Sequence, residues 1–100
     1  MPDGKRGRKP LGRRDWIFGS APRRALLREV LGGPAPTGGW TKADLARAAG
    51  LTTKGGVDEH VAGFAAIGLL HHDAGRWHAR ADTRLAAALR DVLAELEALP

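Results

Sequence analysis

The stretch from Asp44 to Val61, DLARAAGLTTKGGVDEHV, constrains the fold more than any other part of the chain. An alanine-rich segment of high helix propensity meets Gly50, and apolar residues at helical spacing resume within a few positions. Gly50 stands where a left-handed residue ends a helix, and the side chain of Leu51 can fold back onto that helix. The stretch therefore predicts two short helices joined by a tight glycine turn.

The residues around this turn indicate where each helix begins and ends. Thr41 is predicted to cap a helix over residues 42–49, with Asp44 completing a pair like a capping box and Trp40 packing on Leu45. The second helix is predicted to end at Gly68. It buries one apolar face, formed by Val57, Val61, Phe64, Ala65 and Ile67.

Three further elements follow from local signals. Ser20 is predicted to cap a helix whose first turn contains Pro22 and which ends at the glycines of residues 32–33. The stretch LLHHDAGRWHA predicts a hairpin. With a two-residue turn at Ala74-Gly75, its facing pairs are Asp73 with Arg76, His72 with Trp77 and His71 with His78. A last helix is capped at Asp82 or Thr83. The predicted fold class is mainly α with a small β-hairpin, α+β.

The last helix carries apolar residues at alternating intervals of four and three, which is the spacing of a heptad seam. The seam consists of Leu85, Leu89, Val92, Leu96 and Leu99, and Leu93 widens it. Such a stripe either covers the core of its own chain or pairs with a second copy. A chain of 100 residues has limited core surface to offer, so we favour a homodimer seam.

Positive charge is concentrated near the N-terminus. Residues 1–28 contain nine basic and two acidic side chains, whereas the other 72 residues contain seven basic and nine acidic ones. We therefore divide the chain into a disordered basic arm (1–14), a folded domain (15–81) and a dimerisation helix (82–100). A basic arm on a near-neutral domain favours a polyanionic partner, although a solubilising tail has the same composition.

The order helix, helix, turn, helix, hairpin and helix resembles winged helix-turn-helix transcription regulators of the ArsR-like and MarR-like groups. The resemblance is carried by IFGSAPRRALLREVL, TKADLARAAGL and VDEHVAGFAAIGLLHHDAGRWHA, and it covers about residues 17–80. It implies that the segment 52–63 faces the DNA major groove, while the wing around Gly75 and Arg76 touches the backbone or minor groove.

Within that segment, the side chains expected to contact DNA are Thr52, Thr53, Lys54 and His60. Gly55 and Gly56 either let the backbone approach a phosphate at a helix N-terminus or merely lengthen the turn. Asp58 and Glu59 depart from the expected pattern, because phosphates near the groove repel carboxylates.

The stretch KRGRKP resembles an AT-hook, in which a glycine between two arginines lets the backbone lie in a narrow minor groove. Arg6, Arg8 and Lys9 are the candidate contacts, and Pro10 comes one residue later than in that motif. Four arginines are expected to continue the contact along phosphates unless they form a solvated basic face: Arg13, Arg14, Arg23 and Arg24.

Other functional classes find little support in the sequence. Ser20 is the only serine, cysteine is absent, and no phosphate-binding glycine loop is found, so we do not expect an enzyme or a cofactor. His71, His78 and Asp73 are weak zinc candidates, and we expect no metal. No apolar run approaches the roughly 20 residues of a membrane span, so a cytoplasmic, nucleoid-associated protein is expected.

Together, these features predict a dimeric regulator of transcription that binds double-stranded DNA in a sequence-specific manner. Two alternatives remain open. One is a winged-helix module that binds another protein, and the other is an architectural protein that binds DNA without sequence preference, chiefly through its arm.

Overall fold

The computed structural model describes residues 10–33, 35–52, 55–80 and 82–100. Within these ranges five α-helices form: α1 (Arg13–Trp16), α2 (Ala21–Gly32), α3 (Lys42–Ala48), α4 (Asp58–Ala66) and α5 (Arg84–Glu97). A 3-10 helix, Gly55–Val57, precedes α4, and β1 (Leu70–Asp73) pairs with β2 (Arg76–Ala79) as an antiparallel hairpin. The predicted class, mainly helical with a small hairpin, is confirmed.

Side-chain caps fix the beginnings of three helices, as the sequence predicted. Ser20 Oγ accepts from the amide of Arg23 at 3.0 Å, at the start of α2. Thr41 and Asp44 form a reciprocal capping box at α3, with both hydrogen bonds 3.0 Å long. At α5 the cap is Thr83, the second of the two residues considered, and not Asp82. These contacts satisfy amide groups that have no partner inside a helix.

Glycines in the left-handed region end α3 and α4 in the same way. After α3, Gly50 has a φ of +75°, and the amide of Leu51 donates to the Ala46 carbonyl at 2.9 Å. After α4, Gly68 has a φ of +84°, and the amide of Leu69 donates to the Phe64 carbonyl at 2.9 Å. Both are Schellman turns, and the apolar residue that follows each glycine is directed back towards the protein.

The core lies where α2, α3, α4 and α5 meet the hairpin. Its buried side chains are Leu26, Leu27, Val30, Leu31, Trp40, Leu45, Ala46, Ala49, Val57, Val61, Phe64, Leu69, Leu70, Ala86 and Leu93. The predicted apolar face of α4 is thus buried at Val57, Val61 and Phe64. The expectation for Ile67 is wrong, because α4 ends at Ala66 and leaves that side chain 56% exposed.

The hairpin has the predicted register, with Asp73 facing Arg76, His72 facing Trp77 and His71 facing His78. Ala74 and Gly75, with φ values of +52° and +77°, both adopt the positive values that a two-residue turn between twisted strands requires. Trp40 pairs with Trp77 through two backbone hydrogen bonds of 2.9 and 2.8 Å. This bridge attaches the segment before α3 to the hairpin.

α1 is the element that the sequence did not predict. Arg13 and Arg14 belong to this helix and not, as expected, to a disordered arm. α1 contacts both α2 and α5, and Phe18, just after it, packs against the core. Local composition missed this helix because its stabilising contacts come from the other end of the chain.

Candidate nucleic-acid interface

The turn between α3 and α4 holds several of the predicted DNA contacts. Thr52 is exposed after the Gly50 turn, and Gly55 lies in the 3-10 helix that leads into α4. This short helix fits the expectation that the glycines lengthen the turn. The alternative, that their backbone approaches a phosphate of DNA, stays a prediction. Thr53 and Lys54 lie outside the described residues.

The exposed surface of α4 carries acidic side chains in the first turn and only small residues beyond it. Its exposed residues are Asp58, Glu59, Ala62, Gly63 and Ala66. Lys42 Nζ of α3 lies 2.7 Å from Asp58 Oδ1, so one of the two carboxylates has a cationic partner. Glu59 remains exposed beside it. Small side chains let another molecule approach the helix closely, while the acidic turn disfavours phosphates directly over it.

His60 is the one predicted base-reading residue of α4 whose contacts are described. It is half-buried, and its Nδ1 accepts a hydrogen bond of 3.3 Å from Arg23 Nε of α2. Burial lowers the pKa of His60 below its ordinary value of 6.5, the charge of Arg23 lowers it further, and Glu59 opposes both effects. The imidazole is therefore neutral at pH 7.

Arg23 also contacts the turn from which the N-terminal chain enters the fold. Its Nη1 donates to the Phe18 carbonyl at 3.3 Å, and its amide donates to Ser20. Pro10 and Leu11 line a surface pocket of about 610 Å³ together with Gly19 and Ser20 of this turn. Arg23 thus links α4 to the turn that follows α1.

The predicted arm residues fall into two groups. Arg6, Arg8 and Lys9 lie outside the described residues. Arg13 donates to the Pro100 carbonyl, and Arg14 Nη2 donates to the Leu99 carbonyl at 2.9 Å. The contacts of these two arginines with phosphates remain predictions, and in the free protein both side chains bind the C-terminal end of α5.

Glu97, the last residue of α5, pairs with three arginines, two of which, Arg14 and Arg24, were expected to contact phosphates. Arg14 Nε and Arg28 Nε lie 4.0 and 3.6 Å from its carboxylate, and Arg24 Nη2 also pairs with it. Arg24 contacts Asp15 Oδ1 as well, at 3.3 Å. Arg24 is therefore held inside the protein, and sequence reasoning missed Glu97 because nothing local links it to arginines about 70 to 80 positions earlier.

The wing arginine is also engaged within the chain. Arg76 Nη1 donates to the Gly39 carbonyl at 3.2 Å, so the guanidinium is directed towards the segment before α3. Gly39 is buried, and a Cβ at that position would lie 2.6 Å from the Trp77 carbonyl oxygen. The exposed tip of the hairpin consists of Asp73, Ala74 and Gly75.

The two histidines that face each other across the hairpin stack and do not converge on a common point. The ring centroids of His71 and His78 are 5.3 Å apart, and the rings are 29° from parallel. Among the described residues, no group of three histidine, cysteine or carboxylate side chains is arranged to hold a metal ion.

The predicted seam of α5 borders the face that packs on the core. Leu85 and Val92 are 40% and 36% exposed. The other seam residues are half-buried, and they are Leu89, Leu96 and Leu99. An apolar edge therefore runs along the exposed side of α5, and its pairing with a second copy stays a prediction.

Comparisons of this chain with protein-family models, with curated proteins and with solved structures find no match. Within the described ranges, none of the helices is long and apolar enough to cross a membrane.

Proposed function

We propose that this protein is a winged helix-turn-helix regulator of transcription, not an enzyme, and that it binds double-stranded DNA as a homodimer on the nucleoid. The order of elements supports this fold, because α3 and α4 are joined by a tight turn and a hairpin follows α4 directly. An isolated bridge between Trp40 and Trp77 attaches the segment before α3 to the hairpin. In this proposal α4 is the recognition helix and β1–β2 is the wing.

The observation that carries the proposal is the link between α4 and the turn that follows α1. Arg23 donates both to the Phe18 carbonyl of that turn and to His60 of α4, and Pro10 lines a surface pocket together with Gly19 and Ser20 of the same turn. The nine residues before Pro10 would span up to about 30 Å if extended. In this proposal they follow the minor groove adjacent to the major groove that α4 occupies.

The charge distribution of the described residues supports the expectation that the arm makes most of the phosphate contacts. Five arginines between positions 13 and 28 are engaged within the protein: Arg13, Arg14, Arg23, Arg24 and Arg28. Asp58 and Glu59 lie on the exposed side of α4. Affinity is therefore expected from the arm, and sequence preference from α4 and the turn before it.

The test replaces the arm cations by glutamine and measures duplex binding by fluorescence anisotropy at several salt concentrations. Each lost phosphate contact reduces the slope of log affinity against log salt by about 0.9. The slope is expected to fall by about 3 to 4 if all four side chains contact phosphates: Lys5, Arg6, Arg8 and Lys9.

The control carries Arg80→Gln and Arg84→Gln, and it is compared with the arm variant per removed cation because it removes two cations and the arm variant four. Both side chains are exposed, and Arg84 begins α5 at the opposite end from α1, about 20 Å away along the helix. The control is expected to bind with nearly the wild-type slope. If the slope of log affinity against log salt fell equally per removed cation in the two variants, an arm-centred interface would be contradicted. Selection from random duplexes then separates a regulator, which recovers a preferred sequence, from an architectural protein, which recovers none.

A protein-interaction module is the second candidate, and the surface of α4 favours it. The acidic first turn and the small residues at Ala62, Gly63 and Ala66 suit close packing by another polypeptide better than contact with phosphates. If the wild-type chain bound no duplex even at low salt, the protein-interaction module would replace the DNA-binding proposal.

A further inference from the structure

His60 lies in a shallow cleft between α2 and α4. The cleft has a volume of about 350 Å³ and is lined by Arg23, Glu59, His60, Gly63, Phe64 and Ile67. Two of these lining residues, Glu59 and Gly63, belong to the exposed surface of α4. The cleft that contains His60 therefore adjoins the exposed surface of α4.

The contact with Arg23 determines which nitrogen of His60 carries the proton. A guanidinium has only donors, so the ring nitrogen that faces it must be an acceptor. That nitrogen is Nδ1, 3.3 Å from Arg23 Nε. A neutral imidazole with an unprotonated Nδ1 carries its proton on Nε2, and this N–H points to the side of the ring away from Arg23. Among the described residues no side chain or carbonyl accepts from Nε2.

The ring stays in this neutral state because of its surroundings. Among the described residues, the charged groups that face it are Arg23 from α2 and Glu59 from its own helix. Burial and Arg23 lower the pKa of His60 and outweigh Glu59. At neutral pH the cleft therefore presents one N–H donor of fixed direction and no imidazolium charge.

We propose that Arg23 is a positioning residue that holds His60 as a hydrogen-bond donor through Nε2, and that the acceptor is an atom of bound double-stranded DNA. The inference rests on the proposed function. Acceptors of the right kind are the N7 and O6 atoms of purines in the major groove and the oxygens of phosphates. A donor at this point disfavours the amino group of cytosine. His60 thus contributes to sequence choice when it faces a base, and to register when it faces a phosphate.

The first experiment reads the tautomer directly, without DNA. Long-range ¹H–¹⁵N spectra of the full chain are expected to show His60 protonated at Nε2 and unprotonated at Nδ1 at pH 7.5. Arg23→Met is expected to raise the pKa of His60 towards 6.5, because it removes a nearby positive charge. Arg28→Met, an exposed substitution on the same helix, is expected to leave that pKa unchanged. Backbone spectra verify that both variants are folded.

The second experiment compares two amide replacements of His60 in duplex binding. The glutamine amide nitrogen can take the place of Nε2, whereas the shorter asparagine amide reaches only the place of Nδ1. His60→Gln is therefore expected to bind within about twofold of wild type, and His60→Asn about five- to tenfold more weakly, as for the loss of one hydrogen bond.

The sequence dependence of that loss identifies the acceptor. A base acceptor confines the loss to the preferred duplex; replacing the purines by 7-deazapurines then abolishes the loss if the acceptor is N7 and preserves it if the acceptor is O6 of guanine. A phosphate acceptor gives the same loss of affinity on every duplex. A single methylphosphonate at the contacted phosphate then removes the difference between wild type and His60→Asn.

Two results would overturn this inference alone while wild-type binding persists. One is a His60 ring protonated at Nδ1 or fully charged at pH 7.5, and the other is His60→Asn binding as tightly as wild type. A wild-type chain that binds no duplex would overturn both the proposed function and this role.

Discussion

Alanine replacement of three glycines separates backbone conformation from close packing, because each glycine differs from the next in one respect. Gly63 lies in α4 with an ordinary φ and open space around it. Gly50 has a φ of +75° and open space, whereas Gly39 has a φ of +93° and a Cβ position only 2.6 Å from the Trp77 carbonyl oxygen. The free energy of unfolding is expected to change in a different way at each position.

The magnitudes follow from these surroundings. Gly63→Ala is expected to stabilise the protein by about 0.5 to 1 kcal/mol through helix propensity. Gly50→Ala costs about 1 kcal/mol, because alanine is strained in the left-handed region. Gly39→Ala adds to that strain the displacement of Trp77, whose two hydrogen bonds to Trp40 are each worth about 1 kcal/mol. The total cost at Gly39 is therefore about 3 kcal/mol.

Thermal and urea unfolding followed by circular dichroism measure these changes. For a domain of this size 1 kcal/mol shifts Tm by about 4 to 8 °C. Gly39→Ala is thus expected to lower Tm by at least about 12 °C, Gly50→Ala by about 4 to 8 °C, and Gly63→Ala to raise it slightly. If Gly39→Ala proved no more destabilising than Gly50→Ala, the close approach of the hairpin to this segment would not constrain the fold.

Three further predictions concern α5 and α3. Leu93→Ala is expected to cost about 2 to 4 kcal/mol in urea unfolding, because Leu93 is 6% exposed, whereas Val92→Ala at 36% exposure costs less than 1 kcal/mol. Val92→Glu is expected to give a folded monomer in light scattering. Ala87→Glu, on another side of α5, is expected to stay dimeric, and equal masses of the two variants in solution would contradict the seam. The hydrogen bonds from Thr41 lower the pKa of Asp44 below 3.8, so the stability that Asp44 adds is present above that pH and is lost as the pH falls further. The difference in unfolding free energy between wild type and Asp44→Ala should therefore shrink below pH 3.8, and a constant difference from pH 6 to pH 2 would refute this.

The parts of the fold that were predictable from sequence are those decided by neighbouring residues. The capping box of Thr41 and Asp44 closes within four residues, and the left-handed conformation of Gly50 is required by the helix end beside it. The hairpin register follows from its two-residue loop, because a short turn leaves only one way to pair the strands.

The contacts that were missed join residues far apart in the chain. α1 is held through Arg14 and the end of α5, 85 positions away, and no local pattern predicts that pairing. The link between Arg23 and His60 spans 37 positions. Heptad spacing correctly identified an apolar side on α5 but not which part of it meets the core, because Leu93 and the seam lie side by side on the same broad surface.

The attachment of α1 to the last turn of α5 has a mechanical consequence. Arg13 and Arg14 donate to the carbonyl groups of Pro100 and Leu99, just after α5, and the rest of the basic arm precedes these two arginines. Any rotation or sliding of α5 therefore either moves α1 with it or breaks these hydrogen bonds and frees the two arginines. In both cases the geometry of the terminal helix is communicated to the N-terminal segment that contains Lys5, Arg6, Arg8 and Lys9.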